Sequence, residues 1–167
     1  MIYLLSFFLF LSVSASVKVC EEAPNFSLRD MNGEMTALKK IVENNPHPLT
    51  LISFFQTTCV PCIQEIQQIL ALKDEKKFEL VLVGSKETRE PVQKFLEKFN
   101  FEVKTVLTDP NGKLDVNYKI SSIPILIVLN KQGVVLSDLR GQSLSVLREK
   151  MVFKDFIENQ LVSDKCK

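Results

Sequence analysis

Two cysteines separated by two residues are the side chains of this sequence best suited to chemistry. Cys59 and Cys62 lie in the stretch CVPC, directly after an apolar run and directly before a helical pattern. Thiols at this spacing can bind a metal ion, form a small structural disulfide, or exchange two electrons as a working dithiol. The surrounding sequence distinguishes between these uses.

A metal site and a purely structural disulfide are both poorly supported for this pair. Structural zinc needs four ligands, and the chain has four cysteines and one histidine, His47, which lies between two prolines in a predicted loop. Zinc would therefore have to recruit Cys20 and Cys166. A disulfide across two intervening residues closes a very small loop and adds little stability. We predict a redox-active dithiol that uses no metal and no cofactor.

The elements around the pair would position it for reaction. Residues 49–55 are apolar almost throughout, as expected of a strand buried on both faces, and residues 63–73 show helical spacing. Chemistry in α/β sheets gathers at the carboxyl ends of strands. With Thr58 or Cys59 at the helix N-cap, the helix N-terminus would lower the pKa of the Cys59 thiol. Cys62, one turn further on, is suited to resolving a mixed disulfide.

The remaining segments alternate between strand and helix patterns. Strands are predicted at 78–84, 103–107, 124–130 and 134–141, and helices at 91–99 and 143–161. The segment 23–41 suggests a hairpin around Asn32 and Gly33. The sequence therefore predicts an α/β domain with a central mixed β-sheet, helices on both faces and an N-terminal β-hairpin.

Size and charge limit the organisation and the partners. The chain has 167 residues, enough for one domain, and 21 basic side chains nearly balance 20 acidic ones. No basic stripe is present, so we expect no nucleic-acid partner, and we expect a monomer.

The first residues predict export. No charged side chain precedes Lys18, and residues 13–15 form a small-residue cleavage site. An uncleaved membrane anchor is the alternative, although the run is shorter than the usual length of about 20 residues, and a lipid anchor on Cys20 is conceivable. We assign residues 1–19 to a signal peptide or membrane anchor and residues 20–167 to the domain. The domain would then lie in the periplasm or at the outer face of the cytoplasmic membrane.

Export changes the expectation for the other two cysteines. In an oxidising compartment, four cysteines allow three pairings. Besides the local pair, Cys20 and Cys166 stand at opposite ends of the exported chain. Domain termini often lie close together, so a structural disulfide between them is one expectation and two unrelated thiols are the other.

The motifs together resemble a known family. FFQTTCVPC, followed further along by ISSIPILIVLNKQGVV and preceded by the opening APNFSL, resembles the thioredoxin fold. More narrowly, the chain is similar to exported thiol-disulfide oxidoreductases related to ResA and TlpA, and its opening also resembles peroxiredoxins. The resemblance implies that Cys59 attacks and Cys62 resolves. It also implies that Ile123 and Pro124 form a cis-proline element that faces the dithiol and pairs with an extended substrate.

The resemblance also implies a role for Glu65, three positions after the second cysteine. At this spacing Glu65 lies one turn along the same helix face as Cys62. A partly buried carboxyl group there would have a raised pKa and could carry the Cys62 proton. The alternative is an ordinary solvated glutamate. Thioredoxin has a buried aspartate six residues before its first cysteine, where this chain has Ser53, and Thr58 replaces the family's usual tryptophan.

Three functions follow as expectations. The resemblance favours a reductase of disulfides in exported proteins, recharged by a transmembrane thiol carrier, with apocytochrome c as one candidate substrate. A peroxiredoxin-like peroxidase is the alternative, but Gln56 and Ile52 stand where its Pro-x-x-x-Thr-x-x-Cys site has threonine and proline. A copper-binding relative would need three residues between the cysteines and a downstream histidine, and the chain has neither.

Overall fold

The computed structural model describes residues 17–73, 77–141, 150–162 and 166. The elements in chain order are β1 Ser27–Asp30, β2 Met35–Ala37, α1 Leu38–Glu43, β3 Leu49–Phe55, α2 Val60–Leu70, β4 Phe78–Ser85, α3 Arg89–Phe99, β5 Thr105–Asp109, α4 Leu114–Asn117, β6 Ile125–Leu129, β7 Val135–Arg140 and α5 Lys150–Val162. Most of the predicted leader, residues 1–16, and the first part of the predicted last helix, residues 142–149, lie outside the described residues.

The strands form one mixed sheet in the order β2-β1-β5-β4-β3-β6-β7. The central strands β5, β4 and β3 are parallel to one another, and the outer pairs on both sides run antiparallel. All seven residues of β3 are buried, which explains its uninterrupted apolar run. The predicted central mixed sheet is confirmed.

Helices cover both faces of the sheet. Side chains of β3 alternate between two hydrophobic clusters, with Leu51 and Phe55 in one and Ile52 and Phe54 in the other. The first cluster lies beneath α2, α3 and α5, and the second lies beneath α1 and α4. A central strand with a core on each side is the expected arrangement of an α/β domain.

The N-terminal segment differs from its prediction. β1 and β2 pair antiparallel across a turn in which Gly33 has φ +90°, a conformation that favours glycine. The expected hairpin continued to residue 41, but the chain is helical from Leu38 because Leu38, Ile41 and Val42 face the second cluster. The helix α4 was also not predicted.

Two further boundaries shift. The predicted helix at 63–73 is α2, which begins at Val60 because Cys59 caps it and Pro61 is tolerated in the first turn. The strand predicted at 103–107 is β5, which is displaced by two residues because its parallel register with β4 runs from Thr105 to Asp109.

Residues 17–20, which precede β1, pack along the edge strand β7. Val17 is buried and its N–H donates to Asp138 Oδ2 at 2.8 Å, while the Cys20 N–H donates to the Val135 carbonyl at 2.8 Å. The sulfur atoms of Cys20 and Cys166 are bonded, with 4.9 Å between the Cα atoms. This disulfide joins the two ends of the described chain. Among the described residues, no helix is long and apolar enough to cross a membrane.

Candidate active site

The dithiol lies at the start of α2, just after the central strand β3 ends. Cys59 is the N-cap residue, and its sulfur accepts a hydrogen bond from the Cys62 N–H at 3.2 Å. The two sulfur atoms are bonded, with 5.3 Å between the Cα atoms. Cys59 is half-buried and Cys62 is fully buried. The outer sulfur is therefore open to a partner, whereas the inner one is shielded.

The turn that carries Cys59 is fixed by the segment after β4. The Cys59 N–H closes the turn on the Gln56 carbonyl at 3.1 Å, and Gln56 Nε2 donates to the Ser85 carbonyl at 3.2 Å. Thr57 donates both its N–H and its hydroxyl to Glu87 Oε1, each at 2.9 Å. The side-chain contacts between Gln56 and Ser85 and between Thr57 and Glu87 therefore fix the turn that leads to the outer cysteine.

Residues 56–57 and residues 85–87 can approach each other closely because the chain has Gly84 near the end of β4. A Cβ atom there would lie 2.9 Å from Val92 Cγ2 and 3.2 Å from Glu87 Cβ. A larger residue at this position would displace α3 or Glu87, and with it the contact to Thr57.

Glu65 lies behind the dithiol with its carboxyl group buried. Ser53 Oγ of β3 donates to Glu65 Oε1 at 2.7 Å, whereas Oε2 has no hydrogen-bond partner among the described residues. Burial raises the pKa of Glu65 to about 7, and the hydrogen bond from Ser53 opposes this effect in part. A carboxyl group with this pKa can both take up and release a proton near neutral pH.

The Ile123–Pro124 peptide bond is cis and lies at the same end of the sheet as the dithiol. β6 begins at the next residue, Ile125, which is paired with Phe54 near the end of β3. Ile123 packs against the hydrophobic cluster that contains Cys62. The structure thus brings the two predicted motifs together, although they are far apart in the chain.

The second disulfide lies at the other end of the sheet. The Cys20 N–H is hydrogen-bonded to the carbonyl of Val135, the first residue of β7. Val135 in turn is paired with Leu129, the last residue of β6. The dithiol follows the carboxyl end of β3, where Phe54 is paired with the first residue of β6, Ile125. The two disulfides are therefore separated by the length of the strands. Within the described ranges, no cluster of three or more histidine, cysteine or carboxylate side chains could hold a metal ion.

Comparison with known proteins places this arrangement in a family. The model of the Redoxin family matches residues 18–148. The chain belongs to the Redoxin family. Among curated proteins, it is 24% identical to the thiol-disulfide oxidoreductase ResA of Bacillus cereus over 136 residues, which is 80% of this chain and 76% of that protein. It is 27% identical to ResA of Halalkalibacterium halodurans over 141 residues, or 83% of this chain and 74% of the relative.

The solved structures agree on the fold. A thiol-disulfide oxidoreductase from Bacteroides fragilis superimposes with a TM-score of 0.63 at 21% identity, covering 81% of this chain and 99% of that one. Taken with the ResA relatives and the bonded CxxC pair, this Redoxin-family chain is a thiol-disulfide oxidoreductase of the thioredoxin fold.

Two contacts of the site were not found from the sequence. The pairing of Ser53 with Glu65 had one available signal, a buried polar residue in the apolar strand β3. The contact between Glu87 and Thr57 joins residues 30 positions apart and has no local signal.

Proposed function

We propose that this oxidoreductase is exported and reduces disulfides in other exported proteins, with apocytochrome c as one candidate substrate. A transmembrane thiol carrier would return it to the dithiol form. The observation that supports this proposal is the asymmetry of the pair, with a half-buried Cys59 at a helix N-terminus and a fully buried Cys62 behind it. A reductase needs such an outer nucleophile and an inner resolving thiol.

In the proposed reaction, the Cys59 thiolate attacks one sulfur of the substrate disulfide and the substrate S–S bond breaks. The departing substrate sulfur takes up a proton, and a mixed disulfide joins the substrate to Cys59. The Cys62 thiol then loses its proton and attacks the Cys59 sulfur, which releases the second substrate thiol. The substrate gains two electrons and two protons, and the enzyme is left with the Cys59–Cys62 disulfide seen in the structure.

Glu65 is proposed to accept the Cys62 proton. Cys62 is closed off from solvent, so a nearby group must remove its proton before it can attack. Glu65 follows Cys62 by one helical turn and has a pKa of about 7, near the value at which a general base is most effective. After the exchange the same carboxyl group can return the proton to the solvent or to the leaving thiolate.

Ile123 and Pro124 are proposed to bind the substrate backbone. They precede the first residue of β6 and lie at the sheet end where Cys59 emerges. An extended substrate segment held along this stretch would present its disulfide to Cys59.

The Cys20–Cys166 disulfide is proposed to be structural. It lies at the opposite end of the sheet from the dithiol and joins residues 146 positions apart. Disulfides persist in oxidising compartments, so this pairing supports the proposed export, as does the apolar run at residues 1–17.

Trapping tests the proposal directly. In a Cys62→Ala variant the mixed disulfide on Cys59 cannot be resolved, so substrates should remain attached and can be identified after gel separation. A double variant that also carries Cys59→Ala should retain none. Exported proteins with disulfides would support the proposal, whereas an absence of trapped species under mild oxidation would contradict it. A reduction potential of about −120 mV, as in strong oxidants, would reverse the proposed direction.

A further inference from the structure

A groove of about 490 Å³ opens beside the outer cysteine, between the start of α2 and the exposed side of α3. One wall is formed by Thr58, Val60 and Ile63, and Phe99 stands on the opposite wall. Thr58 and Val60 are the two neighbours of Cys59 in the chain. The groove therefore lies beside the short segment that carries the reactive sulfur.

The groove is lined mainly by apolar side chains, and several of them remain partly or largely exposed. Val60 is 61% exposed, although it stands between the two cysteines at the start of a helix. Ile63 and Phe99 are only partly buried at the edge of the first cluster. Single exposed apolar residues are common, but a joined set beside a reactive group indicates a contact surface.

The charged side chains that line the groove are all positive. They are Lys94 and Lys98, and no carboxylate lines it. Lys94 is paired with Glu90 at 2.7 Å. The Lys98 ammonium group lies 5.3 Å from the centre of the Phe99 ring, and no carboxylate of the described residues forms a salt bridge with it. The groove thus offers an apolar floor with a positive charge at its far end.

The exchange reaction itself brings a polypeptide over this groove. In the mixed disulfide, the partner's cysteine sulfur lies about 2 Å from the Cys59 sulfur. An extended chain advances about 3.3 Å per residue, so the partner residues one or two positions from that cysteine stay within roughly 10 Å of Cys59. Their side chains are therefore within reach of the surface flanked by Thr58 and Val60.

We infer that this groove selects the substrate by the residues beside its reactive cysteine, taking a large apolar or aromatic side chain and an adjacent acidic one. The apolar side chain fills the space between Val60 and Phe99, and the acidic side chain meets Lys98. This inference rests on the proposed function, because it assumes that Cys59 forms mixed disulfides with protein substrates. The groove adds selection by side chain to the backbone binding proposed for Ile123 and Pro124.

Matched peptides test the inference. The reduced full-length enzyme is mixed with disulfide-linked peptides in which the reactive cysteine is followed by Phe-Asp, Phe-Lys, Ser-Asp or Ser-Lys, and the second-order rate of exchange is measured by chromatography. We expect the Phe-Asp peptide to react about ten-fold faster than the Ser-Lys peptide. Val60→Ser should reduce the preference for Phe, since it removes part of the apolar wall.

Reversing the charge of Lys98 tests the preference for an acidic side chain more directly than the peptide series alone. In Lys98→Glu the ratio of the Phe-Asp rate to the Phe-Lys rate should fall by about five-fold or more, because attraction at the groove end becomes repulsion. Lys40→Glu makes the same charge change on α1, across the sheet, and should leave the ratio unchanged. Equal ratios in the wild type and Lys98→Glu would overturn the inference.

Exchange with a small neutral disulfide, hydroxyethyl disulfide, distinguishes a failure of the proposed function from a failure of the groove to select substrates. If the wild-type enzyme fails to exchange with it and with every peptide, the proposed function is wrong. If the wild type exchanges with it but treats the four peptides alike, the dithiol works and the groove has no role in selection.

Discussion

Replacing Glu65 with glutamine should change the pH dependence of stability in the oxidised enzyme. An exposed glutamate has a pKa of 4.5, and burial in the fold raises the pKa of Glu65 to about 7. Between these values the folded protein binds more protons than the unfolded chain, so stability falls as pH rises. The contribution is fully present below about pH 4.5 and is lost as pH rises through about 7.

The magnitude follows from the same difference. A pKa that rises from 4.5 to about 7 corresponds, at about 1.4 kcal/mol for each tenfold change in proton affinity, to about 3 kcal/mol. Glutamine cannot ionise, and its amide oxygen can still accept the hydrogen bond from Ser53 Oγ. Its buried amide N–H group costs about 1–3 kcal/mol if unsatisfied, but that cost does not depend on pH. The free energy of unfolding of Glu65→Gln, relative to wild type, should therefore rise by about 3 kcal/mol from about pH 4.5 to about pH 8.

The measurement is urea unfolding of both oxidised proteins at several pH values across this range. Glu34→Gln, an exposed carboxylate between β1 and β2, is the matched control and should follow the wild type throughout. If the relative stability of Glu65→Gln changes by less than about 0.5 kcal/mol across the range, the carboxyl group does not carry a strongly raised pKa. The proposed proton transfer from Cys62 would then lose its physical basis.

Three other changes test neighbouring contacts. Ser53→Ala removes the hydrogen bond that lowers the pKa of the buried carboxyl group, so the pH midpoint of the exchange rate should move upward; an unchanged midpoint would exclude that contact as a determinant. Glu87→Ala leaves the Thr57 N–H and hydroxyl without their acceptor and should reduce stability by about 1–3 kcal/mol in urea unfolding and slow exchange, whereas Glu87→Gln should retain most of both. Cys166→Ser should lower the free energy of unfolding by on the order of 4 kcal/mol without slowing exchange with a small disulfide; a loss of exchange would contradict a structural role for the bond to Cys20.

Several features follow from short stretches of sequence, because local rules are enough to specify them. The apolar run of β3 and the helical pattern after it place the cysteine pair at a strand–helix junction without reference to the rest of the chain. An N-cap at Thr58 or Cys59 and Pro61 in the first turn also follow from local helix rules, and the structure has Cys59 as the N-cap.

The short helices α1 and α4 have 6 and 4 residues and were not predicted. Helices of this length are unstable alone and form only because their apolar residues pack on the sheet. The register of β5 likewise depends on its neighbour, since parallel pairing with β4 decides which residues extend the strand.

The sequence by itself determined that this chain is an α/β protein with a dithiol at the end of a buried strand, because periodicity and capping act over a few residues. Only the tertiary structure decided how that dithiol is supported. Three contacts join distant segments: the hydrogen bond from Ser53 to Glu65, the hydrogen bonds from Thr57 to Glu87, and the second disulfide at the far end of the sheet. The burial that raises the pKa of Glu65 likewise depends on the packing of α2 on the sheet. Such contacts depend on strand order and packing, which no local pattern encodes.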